Sequence, residues 1–407
     1  MASIAPRPLG VRPALAPFGT TIFSEMTRLA STHGAVNLSQ GFPDFEGPAA
    51  LVDAVADALR SGHNQYARSQ GHPELVEALA ARQAQRTGLT YDPMTEVVVT
   101  AGATEAIASA LFGLLEPGDE VVLVEPFYDS YPACLAMVGA TPRYVTLEGP
   151  ERRLDVAAVR AAITPRTRGI LLNTPHNPTG RVLDEAELRG VAALAIEHDL
   201  FVLSDEVYEE LVYDDHVHRS IASLPGMRER TLVISSAGKT FSFTGWKIGW
   251  AFGPPALVAA VQAAHQFVTF AVSTPVQVGL ARALRALDAG FSRALVADYT
   301  RRRDHLLAAL VDVGFAARPA EGSYFLLADF AALADRVPRD ERGPGGEVDD
   351  RVFARWLTAR VGVAVIPPSV FYAARPEAGR GLVRFAFCKR DATLNAAIER
   401  LSALRGA

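Results

Sequence analysis

Between residues 96 and 252 the chain alternates two kinds of apolar pattern. Short runs dominated by Val, Ile and Leu read as buried strands: 96–100 (EVVVT), 120–124, 143–146, 169–172 (GILL), 201–203, 231–235 and 248–252. Between them lie segments with helical spacing: 105–115, a helix through Met137, 154–162 and 184–198. Apolar strands separated by amphipathic helices predict a mainly parallel sheet covered on both faces, a three-layer α/β/α unit. In such sheets the residues just beyond the strand C-terminal ends line the ligand crevice. Here those ends carry AGAT (101–104), PFYD (126–129), NTPHNPTG (173–180), SDEVY (204–208) and SSAGK (235–239).

The flanks are organised differently. Residues 21–32 (TIFSEMTRLAST) place Ile22, Met26 and Leu29 on one helical face. Residues 36–45 (VNLSQGFPDF) run through Gly41 and Pro43, a loop whose backbone can approach a neighbour closely. Helices are predicted over 48–61 and 72–87, and the loop NQYARSQG (64–71) between them presents Tyr66. From residue 254 helices dominate through 287 and again over 290–313. A second α+β region follows, with EGSYFLLADF (321–330), a helix over 348–360, GVAVIPPS (362–369), GLVRFAFCK (381–389) and a final helix over 391–404. Residues 336–347 (RVPRDERGPGGE) read as a surface loop. The expected division is an N-terminal arm with part of a small domain (1–45), a large domain (46–290) and a small α+β C-terminal domain (291–407).

Composition narrows the class. A chain of 407 residues easily buries a large core. A net charge of −5 gives no whole-molecule attraction to nucleic acid, so none is expected as a partner. There is no apolar run of about eighteen residues and hence no expected membrane span. The Pro- and Arg-containing N-terminus lacks the apolar core of a secretory signal. Cys134 and Cys388 are far apart and show no metal spacing, so buried thiols, no metal and a cytoplasmic location are expected.

Lysine usage points to chemistry. Of 40 basic residues only three are Lys: Lys239, Lys247 and Lys389. Arg replaces Lys readily as a solvated charge, but not where an amine must deprotonate and attack a carbonyl. Lys239, in VISSAGKTFSFTGWKIGW, is therefore a candidate Schiff-base amine, while Lys389 reads as a surface charge.

Other strand ends supply candidate partners. Gly102, Ala103 and Thr104 precede a helix, where backbone N–H groups suit an anion, although any strand-to-helix turn has a similar look. Asp205 ends an apolar strand and needs a cation, either a protonated ring nitrogen of a ligand or a structural Arg. Tyr208 and Asn177 could hydrogen-bond a phenolate oxygen. Tyr128 could cover a flat cofactor, with core packing as the alternative. Arg384 sits in an apolar strand and calls for a carboxylate, from a substrate or from a local Asp.

The order of these features resembles one family. SQGFPDF, NTPHNPTG, SDEVYEELVYD, SSAGKTFSFTGWKIGW and VRFAFCK are similar to the motifs of class I/II aminotransferases, pyridoxal-phosphate enzymes of the aspartate aminotransferase fold. The likeness spans residues 20–405 and is strongest toward the branch of kynurenine, methionine and actinobacterial N-succinyldiaminopimelate aminotransferases. It implies that Lys239 forms the internal aldimine with pyridoxal 5'-phosphate. Asp205 would pair with the ring nitrogen, Tyr208 and Asn177 would hold the 3′ oxygen, and Tyr128 would stack on the ring. Gly102, Ala103, Thr104, Ser236 and Lys247 would bind the phosphate, with Tyr66 reaching in from the partner of a homodimer. Arg384 and the Gly41 backbone would take the substrate α-carboxylate, Asn177 would lie beside it, and Phe23 would close the side-chain pocket. The implied activity is ping-pong transfer of an amino group from an L-amino acid to a 2-oxo acid.

Two departures bear on the substrate. Residues 265–277 (HQFVTFAVSTPVQ) lack the His–aromatic pair often found in kynurenine-type members, and NQYARSQGHP is less Gly/Pro-rich than its counterpart in the succinyldiaminopimelate enzymes. A lyase or carbon–carbon bond-forming enzyme on the same scaffold is the alternative reading. A non-catalytic regulator is disfavoured by the complete set Asn177, Asp205, Tyr208, Lys239 and Arg384.

Overall fold

A computed structural model of the chain describes residues 10–286 and 289–405, so the first nine residues of the N-terminal arm lie outside the described residues. The alternating region forms a seven-stranded sheet. Its strands are β1 (Val97–Thr100), β2 (Glu120–Glu125), β3 (Thr141–Thr146), β4 (Thr167–Asn173), β5 (Phe201–Asp205), β6 (Thr231–Ser236) and β7 (Gly249–Phe252). Their spatial order is β1-β7-β6-β5-β4-β2-β3. All neighbours are parallel except at β7, which runs antiparallel to both β6 and β1. The β6-to-β7 connection is one helical turn, Ala237–Thr240, and one 3-10 turn, Thr244–Trp246. It is too short for a parallel crossover, so the chain returns alongside itself. That return leaves Lys239 and Lys247 together at one end of the sheet.

Period-two alternation divides the strand side chains between two cores. Leu123, Leu171, Leu203 and Ile234 face Ile107, Leu111 and Val261 on one side. Val122, Ile170, Leu172 and Val202 face Leu188, Val191 and Leu194 on the other. The expected helix at 105–115 begins earlier, as Ala103–Leu114, because Gly102 caps it at φ +82°, a backbone position that favours glycine. The helix expected over 348–360 is Asp350–Trp356 followed by a π-helical turn, Leu357–Val361.

The C-terminal region builds a second sheet from β8 (Ala316–Ala317), β9 (Phe325–Asp329) and β10 (Leu382–Ala386), antiparallel in the order β10-β9-β8. The short strand Val36–Asn37 pairs in parallel with Val363–Ala364. Met26 and Leu38 therefore share a core with Tyr324, Phe385 and Leu401, far along the chain. Both cysteines are buried free thiols.

Candidate active site

A cavity of about 310 Å³ opens where the strand ends of the large sheet meet β9 and β10. Its wall includes Phe23, Gly41, Gly102, Ala103, Thr104, Tyr128, Asn177, Asp205, Tyr208, Ser236, Lys239, Lys247 and Arg384. Of the residues picked out from the sequence only Tyr66 lies elsewhere. It is 82% exposed and packs edge-on against Phe270.

Lys239 sits in the single helical turn after β6. Its amine lies 3.5 Å from the Gly41 carbonyl oxygen and 5.8 and 5.7 Å from the ring centres of Tyr208 and Tyr324. Burial lowers its pKa to about 8, against upward pulls from Cys388 and Asp205, with Arg384 and Lys247 adding to the depression. A substantial share of the amine is thus neutral and nucleophilic near physiological pH.

Asp205 closes β5 and is buried. The Tyr131 hydroxyl donates to its Oδ2 at 2.6 Å, and the Val207 N–H donates to Oδ1 at 3.3 Å. Its side-chain partners do not include the structural Arg that the sequence left open. Burial raises its pKa to about 6, and the Tyr131 hydrogen bond is the largest opposing effect. Asn173, at the end of β4, fixes the neighbouring loop. Its Nδ2 donates to the Asp205 carbonyl at 2.9 Å, and its Oδ1 accepts from the Asn177 N–H at 2.8 Å.

The anion cradle is tight. Lys247 is held at φ +53°, and a Cβ added to Gly102 would lie 3.2 Å from its Nζ. A Cβ on Gly249 would lie 2.4 Å from the Gly102 carbonyl carbon. The start of the helix Ala103–Leu114, Ser236 and the Lys247 amine therefore converge, with no room for a larger residue at Gly249 and a backbone conformation at Gly102 that favours glycine.

Arg384 is 1% exposed and, among the described residues, forms no ion pair with an Asp, Asp129 acting on it only at longer range. Nη1 donates to Asn177 Oδ1 at 2.9 Å, Nη2 donates to the Ser39 carbonyl at 2.8 Å, and Nε is buried without a partner. Its guanidinium lies 4.1 Å from the ring centre of Phe325 and 5.4 Å from those of Phe23 and Phe371.

One expectation is overturned. Lys389 is not a surface charge: it is 3% exposed, and its amine donates to the Phe42 carbonyl at 2.7 Å. Residues 41–45 fold over it, a contact that local sequence does not reveal. The sequence reading also missed Tyr131, Asn173 and Tyr324. Tyr131 follows Tyr128 by three residues in EPFYDSY, the spacing that puts both on one side of a helix start, and this was the available signal.

The site unites a buried low-pKa lysine, a buried carboxylate, a helix-start anion cradle and an arginine held by an amide and a carbonyl but by no carboxylate. The family profile of aminotransferase class I and II matches residues 33–401. The chain belongs to the class I and II aminotransferases. It is a transaminase of the pyridoxal-phosphate-dependent kind. The aminotransferase is 41% identical to the methionine aminotransferase of Escherichia coli over 397 residues, covering 98% of this chain and 99% of that one. It is 38% identical to the human kynurenine–oxoglutarate transaminase 1, covering 93% and 94%. The solved structure of N-succinyldiaminopimelate aminotransferase from Mycobacterium tuberculosis superposes with a TM-score of 0.91 at 47% identity, covering 97% of this chain and all of that one. These relatives are named as aminotransferases, so the lyase alternative is not favoured.

The residues present fit the cofactor of the family. The cradle offers backbone N–H groups and one ammonium for a phosphate, Lys239 offers an amine for an aldehyde, and Asp205 offers a buried carboxylate for a ring nitrogen.

Proposed function

We propose that this aminotransferase takes amino donors with long apolar, thioether or aromatic side chains and passes the amino group to a 2-oxo acid. The observation that carries this reading is the cavity wall. Beyond Arg384, Lys239 and Lys247, its side-chain lining is aromatic, aliphatic or uncharged apart from Asp205, with Phe23, Phe42, Tyr128 and Phe325 prominent. A donor with further carboxylates, such as N-succinyldiaminopimelate, would need cations that the wall formed by one chain does not offer, so its use would depend on residues of a second copy.

In this reading each residue has one task. Pyridoxal phosphate, when bound, supplies the electron sink for carbanion chemistry at the substrate α-carbon. Lys247, Ser236 and the N–H groups from Gly102 to Thr104 would hold its phosphate. Asp205 would balance charge at the ring nitrogen, Tyr208 and Asn177 would hydrogen-bond the phenolate oxygen, and Tyr128 would pack on the ring. Arg384, which lines the cavity and has no carboxylate partner among the described residues, would orient the substrate carboxylate together with the Gly41 backbone. The Lys239 amine, with its pKa lowered by burial, would serve as the base that takes the substrate α-proton and hands it on within the cavity.

The same reading makes the enzyme a homodimer acting in the cytoplasm. Tyr66 and Phe270 are exposed together, at 82% and 47%, in edge-on ring contact. Such a patch suits a second copy, whose Tyr66 would enter this cavity. Among the described residues no helix is long and apolar enough to cross a membrane.

A donor panel tests the substrate assignment. Methionine, kynurenine, phenylalanine and N-succinyldiaminopimelate are compared against 2-oxoglutarate and pyruvate, with products identified by mass. The expected order places methionine and the aromatic donors first. Preference for N-succinyldiaminopimelate overturns it.

A further inference from the structure

Lys389 is the one lysine that the reaction does not use. Its ammonium is buried, donates to the Phe42 carbonyl at 2.7 Å and lies 4.8 Å from the centre of the Phe42 ring. Among the described residues its amine forms no ion pair with a carboxylate. A charge held only by a carbonyl and an aromatic face is costly unless that geometry is required. Elsewhere this chain almost always uses Arg as its strong base. A guanidinium carries five N–H donors, whereas the compact ammonium here makes its hydrogen bond to the Phe42 carbonyl, so the two are not interchangeable at this place.

What Lys389 holds is the edge of the substrate site. Residues 38–44 lie alongside residues 384–393 through a series of bonds. Ala386 N–H donates to the Leu38 carbonyl at 2.8 Å, and Arg384 Nη2 donates to the Ser39 carbonyl at 2.8 Å. Farther on, Arg390 N–H and Thr393 Oγ1 donate to the Asp44 carboxylate at 2.6 and 2.5 Å. Gly41 lies in the middle of this series. Its carbonyl accepts from Tyr324 Oη at 2.6 Å, and a Cβ there would sit 2.6 Å from the Phe325 ring. Arg384 pins the chain two residues before Gly41, and Lys389 pins it one residue after.

We propose that Lys389 is a positioning residue for substrate binding. It fixes the peptide joining Phe42 and Pro43, one residue beyond Gly41, and so holds the Gly41 backbone at the height where Gly41 and Arg384 together receive the α-carboxylate. The inference rests on the carboxylate role given above to Arg384 and Gly41. Because Lys389 does not line the cofactor cavity, its effect falls on substrate affinity and spares cofactor binding.

The test is steady-state kinetics on the holoenzyme with methionine and 2-oxoglutarate, beside the visible absorption of the bound cofactor. Lys389→Met is expected to raise KM for both substrates about tenfold, with kcat within about twofold and absorption unchanged. Lys389→Arg is expected not to restore KM. Lys389→Gln, which keeps an N–H donor for the Phe42 carbonyl without the charge, is the milder variant should Lys389→Met fail to fold, and is expected to raise KM about threefold. Unchanged KM in Lys389→Met, or in Lys389→Gln where only that variant folds, overturns the proposal. Loss of cofactor in parallel with the KM change also overturns it. Arg384→Gln, run alongside, separates the two readings: unchanged KM there defeats the carboxylate assignment, whereas unchanged KM only at Lys389 defeats the positioning role.

Discussion

The Tyr131 hydroxyl donates a 2.6 Å hydrogen bond to Oδ2 of Asp205, from a position 74 residues earlier in the chain. This bond favours the ionised carboxylate and opposes the burial that, even with the bond in place, raises the pKa to about 6. Tyr131→Phe removes it and raises the pKa further. A carboxyl group whose folded pKa exceeds its unfolded value costs stability as pH rises from the unfolded value through the folded one. The cofactor-free variant should therefore lose stability over a range extending to higher pH than wild type, measured by urea midpoints from pH 4.5 to 7.5. In the holoenzyme the acid limb of kcat/KM should move to higher pH, with roughly tenfold lower kcat. Superimposable pH profiles would remove Tyr131 from the mechanism.

Lys239 has the opposite sign of shift for a base. Its folded pKa is lowered to about 8, so in the cofactor-free protein its charged form opposes folding. That penalty is fully present below pH 8 and fades as pH rises toward the ordinary lysine value of about 10.4. Cofactor-free Lys239→Met should be more stable than wild type at pH 7, by on the order of 2–3 kcal/mol. The gap should narrow by pH 10. Denaturant titrations at the two pH values check this, and a pH-independent difference would contradict it.

Gly249→Ala probes the phosphate cradle. The new Cβ would lie 2.4 Å from the Gly102 carbonyl carbon and 2.6 Å from the Ala103 nitrogen, so the helix start must move. The variant is expected to lose cofactor on dialysis, with about a hundredfold weaker binding. Retention of cofactor at wild-type affinity would show that the cradle is looser than drawn.

Arg384→Lys keeps the charge but removes the fork. Asn177 and Ser39 would lose their guanidinium donors, and a lysine amine cannot reproduce the planar pairing. KM for amino donor and oxo acid should both rise about a hundredfold, measured by steady-state kinetics.

The strand-end inventory was legible because buried parallel strands leave a strong apolar signature, and the polar residues that interrupt it are few. Asp205, Asn177 and Lys239 all stood out in this way. The direction of β7 was less plain, since it follows from the length of one connection and not from the strand itself. Tyr131 and Tyr324 look like core aromatics, and only the placement of a hydroxyl beside Asp205 or the Gly41 carbonyl distinguishes them. Lys389 was misread because Arg390 and Asp391 follow it, which resembles a solvated edge. Its burial is imposed by Phe42, 347 residues away in sequence.

The central claim is that one particular lysine carries the cofactor, and the chain's composition allows a clean test. Only three lysines exist, so borohydride reduction of the holoenzyme, digestion and mass spectrometry can assign the attachment point without ambiguity. The phosphopyridoxyl group should be found on Lys239, and Lys239→Ala should lack both the adduct and the visible absorption. An adduct on Lys247 or Lys389, or unchanged absorption and turnover in Lys239→Ala, would contradict the account.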